Sequence, residues 1–173
     1  MLEVSDPPSS GDELVDIVNE RDRVVGRASR RDAYARRLPH RCVFVLVRDH
    51  LGRVFVHQRT ASKLIFPSHC DMFVGGVVHA GESYDDAAVR EAREELGVAE
   101  LGQLTRLFTF LYDDAEHTWW CAVYEGRCDV PVRPQADEIA WHSFLTDDEL
   151  DRRFSEWTWT PDSAEAYRRL RSR

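Results

Sequence analysis

The chain has 173 residues, 43% hydrophobic and 31% charged, which suits one folded domain with a sizeable core and excludes a disordered chain. Its formal net charge of −8 argues against a protein that coats nucleic acid polymers, whose affinity would rest on basic patches. It does not exclude small anionic substrates, because a bound cation reverses the local field. Cys42, Cys70, Cys121 and Cys128 form no C-x-x-C pair and follow no secretory signal, so free thiols and a cytoplasmic location are expected. No apolar run approaches the length of a membrane span.

Met1 to Gly11 contains Pro7, Pro8, Ser9 and Ser10 and is expected to be a flexible tail, leaving 12–173 as a single domain. Leu14 to Val18 alternates apolar and polar residues, and with the turn Asn19 to Asp22 and the return Val24-Val25 it suggests a hairpin. Ser29 to Arg37 suggests a short helix stopped before Pro39. Cys42 to Val47 is a near-continuous apolar run, hence a buried strand, with Val54 to Val56 as its hairpin partner. Ser62 to Asp71 is irregular. Met72 to Val78 reads as a strand ended by Gly75 and Gly76. Ser83 to Leu96 is the clearest helix: Ser83 is a good N-cap, Asp86 completes a capping-box spacing, and Gly97 is a natural stop. Leu107 to Tyr112 and Thr118 to Tyr124 read as strands around the turn Asp113 to His117, followed by a strand at Ile139 to Phe144. Helices follow at Thr146 to Phe154 and from Thr160-Pro161-Asp162. The interleaving predicts an α/β or α+β fold around one mixed sheet.

Within the central helix, at about 100° per residue, Glu95 lies roughly 40° from Glu91 and Glu94 roughly 60° on the other side. The three carboxylates share one face, while Ala88, Val89, Ala92 and Leu96 form the core face. Like charges at this spacing repel by about 0.2–0.5 kcal/mol per pair, and a divalent cation with oxygen ligands, Mg²⁺ or Mn²⁺, removes the penalty. Taken alone, E-x-x-E-E is more often a solvated acidic face, here balanced by Arg90 and Arg93.

The surroundings decide between these. Gly76, Glu82, Arg90, Glu91, Glu94, Glu95 and Gly97 match G-x5-E-x7-R-E-U-x-E-E-x-G-U, with Val98 in the last aliphatic slot. Seven fixed identities arise by chance with a probability on the order of 10⁻⁷ to 10⁻⁸ per start. The segment resembles the Nudix box, and the predicted strands around it fit the α/β/α sandwich of the Nudix hydrolase family. Ala92 departs from the pattern where a larger aliphatic is usual, which touches packing and not a ligand.

The resemblance implies a Mg²⁺- or Mn²⁺-dependent hydrolase of a diphosphate linkage in a nucleoside diphosphate derivative or similar small molecule. Glu91 and Glu95 would be metal ligands, Glu94 a third ligand or support, and Gly75 a carbonyl ligand. Arg90 would pair with Glu82 or Glu94 and fix the carboxylates. Gly76 would let the backbone approach the metal, and Gly81 would turn the loop into the helix. Metal ions neutralise and orient the phosphates and lower the pKa of the bound water, whose proton a carboxylate takes. Glu138 is the candidate distal acid, against its reading as a plain loop carboxylate. Asp113, Asp114 and Glu116 are a second candidate, against a solvated turn.

Val15 to Glu20, His40-Arg41, Gln58-Arg59 with Lys63, Phe66-Pro67 and Asp71, in that order, resemble the isopentenyl-diphosphate-isomerase-like branch of the family. The resemblance implies a cysteine and a histidine for true isomerases, at positions that here hold Gly75 and Val77. Hydrolysis is therefore favoured over isomerisation, and over a non-catalytic nucleotide sensor, which usually loses box carboxylates. Arg59 and Lys63 are candidate phosphate grips or surface charge. His40 is either a relic of a metal site or a packed histidine. Among Phe108, Tyr112, Trp119, Trp120, Trp141, Trp157 and Trp159, one is a candidate to stack on a nucleobase and the others are core, with Trp157 and Trp159 candidates for a homodimer contact.

Overall fold

The structure is a computed structural model that describes residues 11–173. The expected flexible tail lies outside the described residues except for Gly11, which is buried, its carbonyl accepting the Arg31 N–H at 2.9 Å.

The elements run β1 (Leu14–Val18), β2 (Val24–Ser29), α1 (Arg30–Ala35), β3 (His40–Arg48), β4 (Val54–Arg59), β5 (Cys70–Asp71), β6 (Val74–Val77), α2 (Tyr84–Leu96), β7 (Thr105–Asp113), β8 (Thr118–Arg127), β9 (Ile139–Leu145), α3 (Asp147–Glu156) and α4 (Pro161–Arg171). Strands β1 and β2 form a separate antiparallel hairpin, and the other seven strands form a mixed sheet. At its centre β3 runs parallel to β8 from His40↔Trp119 to Arg48↔Arg127, and β7 flanks β8 in antiparallel sense. The other edge of β3 carries β6.

Strand β3 shows why the sheet has two cores. Its side chains alternate, as the pleat dictates. Cys42, Phe44 and Leu46 enter one cluster with residues of α1, α3 and α4, namely Ala33, Leu150, Ala164 and Tyr167. Val43, Val45 and Val47 enter the other with Ala87, Ala88, Ala92 and Leu96 of α2. The sheet is thus covered on both faces, with α2 held close by its small alanines.

Three expectations are corrected. Strands β3 and β4 barely pair, through Arg48↔Val54 alone, because β4 lies mainly against β9 from Val54↔Leu145 to Arg59↔Ile139. Gly75 and Gly76 do not end a strand; they lie inside β6, opposite Phe44 and Val43. The core face of α2 takes Ala87 and leaves Val89 half-buried.

Candidate active site

Helix α2 begins where the Ser83 hydroxyl accepts the Asp86 N–H at 3.1 Å and ends on Gly97 at φ 63°, in the left-handed region that glycine adopts without strain. A Cβ at Gly97 would also lie 1.8 Å from the Arg133 carbonyl oxygen. Ahead of the helix, Gly81 turns the loop at φ 78° and donates its N–H to Asp16 Oδ2 at 2.8 Å, so β1 clamps the helix entry.

Arg90 organises the acidic face. Its guanidinium forks onto Glu82 at 2.8 and 2.9 Å, reaches Glu91 Oε1 at 2.6 Å and the Val77 carbonyl at 3.1 Å, and lies 3.5 Å from Glu94 Oε2. Both expected partners are therefore engaged, and Glu91 with them. Glu82 in turn accepts the His79 N–H at 2.9 Å. Burial alone would raise the pKa of Glu82, but the Arg90 fork and the His79 amide hold it below the usual range.

The carboxylates do not share one environment. Glu95 is buried, its Oε2 accepting the Gly75 N–H at 3.2 Å; Glu91 is largely buried; Glu94 is exposed. Burial, then the neighbouring Glu91 charge, pushes the Glu95 pKa well up. Burial also raises Glu91, with Arg90 opposing it. The sequence placed Glu95 on the same face as Glu94, but the helix lies against β6, and that contact covers Glu95.

The glycine pair of β6 makes room for this. A Cβ on Gly75 would lie 1.9 Å from the Val43 carbonyl oxygen, so β6 can approach β3 only with glycine there. A Cβ on Gly76 would lie 2.6 Å from Glu91 Oε2, so Gly76 leaves the space that the carboxylate fills.

The fit of a divalent cation rests on the donors. Glu95, buried, and Glu91, largely buried, lie one helical turn apart and repel each other, offset by Arg90, the Gly75 N–H and the charges of Arg30, Arg59 and Lys63. Hard oxygen donors of that kind suit Mg²⁺ or Mn²⁺. Among the described residues no three acidic, histidine or cysteine side chains converge as a ready cluster. The positions that come together are Glu91, Glu95 and the Gly75–Gly76 backbone, with Glu94 outside.

Gly75, Gly76 and Glu95 line a cavity of about 70 Å³, as do Arg59 and Lys63. Arg59 spends its guanidinium on the Ile65 carbonyl at 2.9 and 3.2 Å. Lys63 Nζ pairs with Glu138 Oε2 at 3.2 Å. The cavity also holds residues that sequence reasoning did not assign to a site: Arg30, Tyr34, Cys42, Thr160 and Asp162. They come from distant elements, and only the parallel β3–β8 pairing and the docking of α4 gather them. Asp71 was noted in its sequence context without this role.

Other candidates take their plainer readings. Asp114 caps its own turn through the Glu116 and His117 N–H groups at 2.7 Å, and Asp113 pairs with Arg37 at 2.6 Å. His40 is packed against Tyr34 and Trp119, Nδ1 on the Leu38 carbonyl at 2.9 Å, with burial lowering its pKa to about 4. Trp159 is buried in its own chain, its indole N–H donating to the Arg153 carbonyl at 3.1 Å, and does not offer a dimer surface. The four cysteines are free. No helix among the described residues is long and apolar enough to cross a membrane.

A family model described as the NUDIX domain matches residues 38–170. An uncharacterized Nudix hydrolase of Streptomyces coelicolor is 63% identical over 165 residues, 95% of this chain and 91% of that one. YfcD of Escherichia coli K12, also named an uncharacterized Nudix hydrolase, is 38% identical over 159 residues, 89% of this chain and 84% of its own. The crystal structure of DR0079 from Deinococcus radiodurans matches with a TM-score of 0.78 at 36% identity, over 91% of this chain and 98% of that one. Fold, site and relatives together define a hydrolase of phosphorus-containing anhydrides. The chain belongs to the Nudix family.

Proposed function

We propose that the chain is a Mg²⁺- or Mn²⁺-dependent hydrolase that cleaves the diphosphate linkage of a nucleoside diphosphate derivative or similar small molecule. The observation that carries this reading is the pair Glu91, largely buried, and Glu95, buried, beside the Gly75–Gly76 backbone, with Glu95 at the wall of the cavity. These two carboxylates, with the Gly75 carbonyl, are the groups that would hold the cation. When bound, it would neutralise the diphosphate oxygens and activate water.

The protein's own residues have separate tasks. Arg90, fixed by its fork onto Glu82, holds Glu91 in place. Lys63 and Arg59 face the same cavity as Glu95 and are the cations that receive the phosphates. A phosphate reaching Lys63 competes with Glu138 for it, and the freed Glu138 carboxylate is the group that takes the proton of the attacking water. Glu94, exposed on the neighbouring face, supports Arg90.

The order of features before the box favours an isopentenyl-diphosphate-isomerase-like lineage within the family, without isomerase chemistry. Val77 is buried and aliphatic, and neither Cys70 nor His79 lines the cavity. Cys42 does line it, but burial drives its thiol far above the range in which a thiolate forms.

Release of phosphate or monophosphate from nucleoside diphosphates, nucleotide sugars, dinucleotides and prenyl diphosphates tests the proposal. Turnover of at least one compound, supported by Mg²⁺ or Mn²⁺ and stopped by a chelator, is expected. Inertness of every compound with both metals would overturn it. Conversion of isopentenyl diphosphate to its dimethylallyl isomer would overturn the choice of hydrolysis over isomerisation.

A further inference from the structure

Strands β1 and β2 stand apart from the main sheet and ahead of the matched Nudix region, yet they are fastened to the loop that leads into α2. Val15 bridges to His79, and the Ala80 N–H donates to the Leu14 carbonyl at 2.8 Å. The Gly81 N–H donates to Asp16 Oδ2 at 2.8 Å. From the hairpin turn, Asp22 Oδ2 accepts the hydroxyl of Tyr84, the first residue of α2, at 2.9 Å. The hairpin thus straps the whole run from His79 to Tyr84.

Asp16 brings a charged side chain to this contact and is 6% exposed, a costly placement unless its oxygens are satisfied. Oδ1 takes Arg27 Nε at 3.0 Å, but the Arg27 side chain is 60% exposed, so solvent screens that pair. Oδ2 takes the Gly81 N–H, a charge-assisted bond of the stronger kind. The amide it holds lies in a tight turn. The Glu82 N–H donates to the His79 carbonyl at 3.0 Å, and Gly81, third of the four residues, has φ 78°. The turn closes a second time where the Glu82 carboxylate accepts the His79 N–H at 2.9 Å. That same carboxylate carries the Arg90 fork, and Arg90 reaches Glu91. Asp16 and Glu91 are therefore the two ends of one continuous path through Gly81, Glu82 and Arg90.

We propose that Asp16 is a positioning residue of the hydrolytic site: by holding the Gly81 N–H it fixes the turn from His79 to Glu82, and through Glu82 and Arg90 it fixes Glu91 where the cation is held. It touches neither substrate nor cation. The inference deepens the metal-site reading and rests on it for the part played by Glu91; the link from Asp16 to Glu82 stands apart from it. A hairpin that merely fastens the fold has a different consequence. Gly81 is exposed, so water can replace the lost bond and the chain still folds. Water does not hold the turn in one place, and the loss then reads out at Glu82 and beyond.

Two measurements on the full chain test this, for the unaltered protein, Asp16→Asn, Asp16→Ala and Arg27→Ala. Asp16→Asn keeps an oxygen for the Gly81 N–H, Asp16→Ala removes it, and Arg27→Ala breaks the screened ion pair alone. The first is amide hydrogen exchange without metal. In Asp16→Ala the His79 N–H, whose acceptor is Glu82, is expected to exchange about tenfold faster or more, and to stay near the unaltered rate in the other two. The second is Mn²⁺ affinity by electron paramagnetic resonance. Groups that orient metal ligands are typically worth 10–100-fold in affinity, and Asp16 acts further out, so a loss of about fivefold to tenfold is expected in Asp16→Ala. Added to Glu82→Ala, which already cuts the path, the same change should cost less than about twofold. Unchanged His79 exchange and Mn²⁺ affinity in Asp16→Ala, with a lower denaturation midpoint alone, overturns the proposal. So does an equal loss in Asp16→Asn or Arg27→Ala, or a full further loss on top of Glu82→Ala. If Asp16→Ala does not fold, Asp16→Val, which suits a strand and also lacks an acceptor, takes its place. If the unaltered protein binds no Mn²⁺, the metal-site reading has failed, and His79 exchange alone decides the link from Asp16 to Glu82.

Discussion

Gly75 and Gly76 are adjacent, but a methyl group added to each would meet different obstacles. At Gly75 it would strike the Val43 backbone carbonyl, which cannot move without parting β6 from β3. Gly75→Ala is expected to destabilise the fold by more than about 3 kcal/mol, at or beyond the usual cost of overpacking, seen as a lower denaturation midpoint. At Gly76 the obstacle is the Glu91 carboxylate, the end of a side chain that can shift. Gly76→Ala should therefore fold with a loss of about 1 kcal/mol or less yet lose most of its hydrolytic activity, because Glu91 is displaced. Equal effects of the two substitutions on stability would contradict this assignment. Arg90 is the other residue whose removal acts through a neighbour. Arg90→Lys keeps the charge but cannot fork onto Glu82, and a fall in kcat of about tenfold or more is expected in the same assay.

At the scale of elements, helix α2 was the most legible part of the chain, because its caps and its apolar stripe agree. Gly97→Ala meets both a left-handed backbone and the Arg133 carbonyl, so thermal melts should show a larger loss than for Ser83→Ala, which removes one cap worth about 1 kcal/mol. A loss at Gly97 no greater than at Ser83 would count against that reading of the helix end. The strands β1, β3, β7, β8 and β9 were also legible within a few residues, since their alternation or apolar run reflects burial. Pairing was not. Nothing local says that β3 lies parallel to β8, or that β4 leaves β3 for β9, because those contacts join residues far apart in the chain. The site divides in the same way. Glu82, Arg90, Glu91 and Glu95 lie on one short segment, and their spacing exposed them. Asp71, Trp119 and Asp162 meet only after the sheet closes and α4 docks, so no spacing could reveal the inner cavity.

For the whole molecule, the buried titratable groups set how stability varies with pH. Asp162, near 3.8 when unfolded, rises to about 7 in the fold, from burial and then from Asp71. The folded state thus holds this proton more tightly. Its contribution is fully present below the unfolded value and is lost as pH rises through about 7. His40 and His57, lowered by burial to about 4 and about 3, act in the opposite sense and destabilise the fold as pH falls below 6.5. A variant comparison isolates the acid. Asp162→Asn should melt near the unaltered protein at about pH 3 and clearly above it at about pH 8, on either side of the window set by the two Asp162 values. A difference independent of pH would remove Asp162 from this role.

We infer that Glu91 and Glu95 together hold a divalent cation at the head of the cavity. Electron paramagnetic resonance of Mn²⁺ titrated into the full chain tests it most directly, with Glu91→Gln/Glu95→Gln as the comparison. Saturable Mn²⁺ binding that Mg²⁺ displaces is expected, weakened at least about tenfold in the double variant, which keeps the shape of both side chains and removes their charge. Equal Mn²⁺ affinity in the two proteins would contradict it.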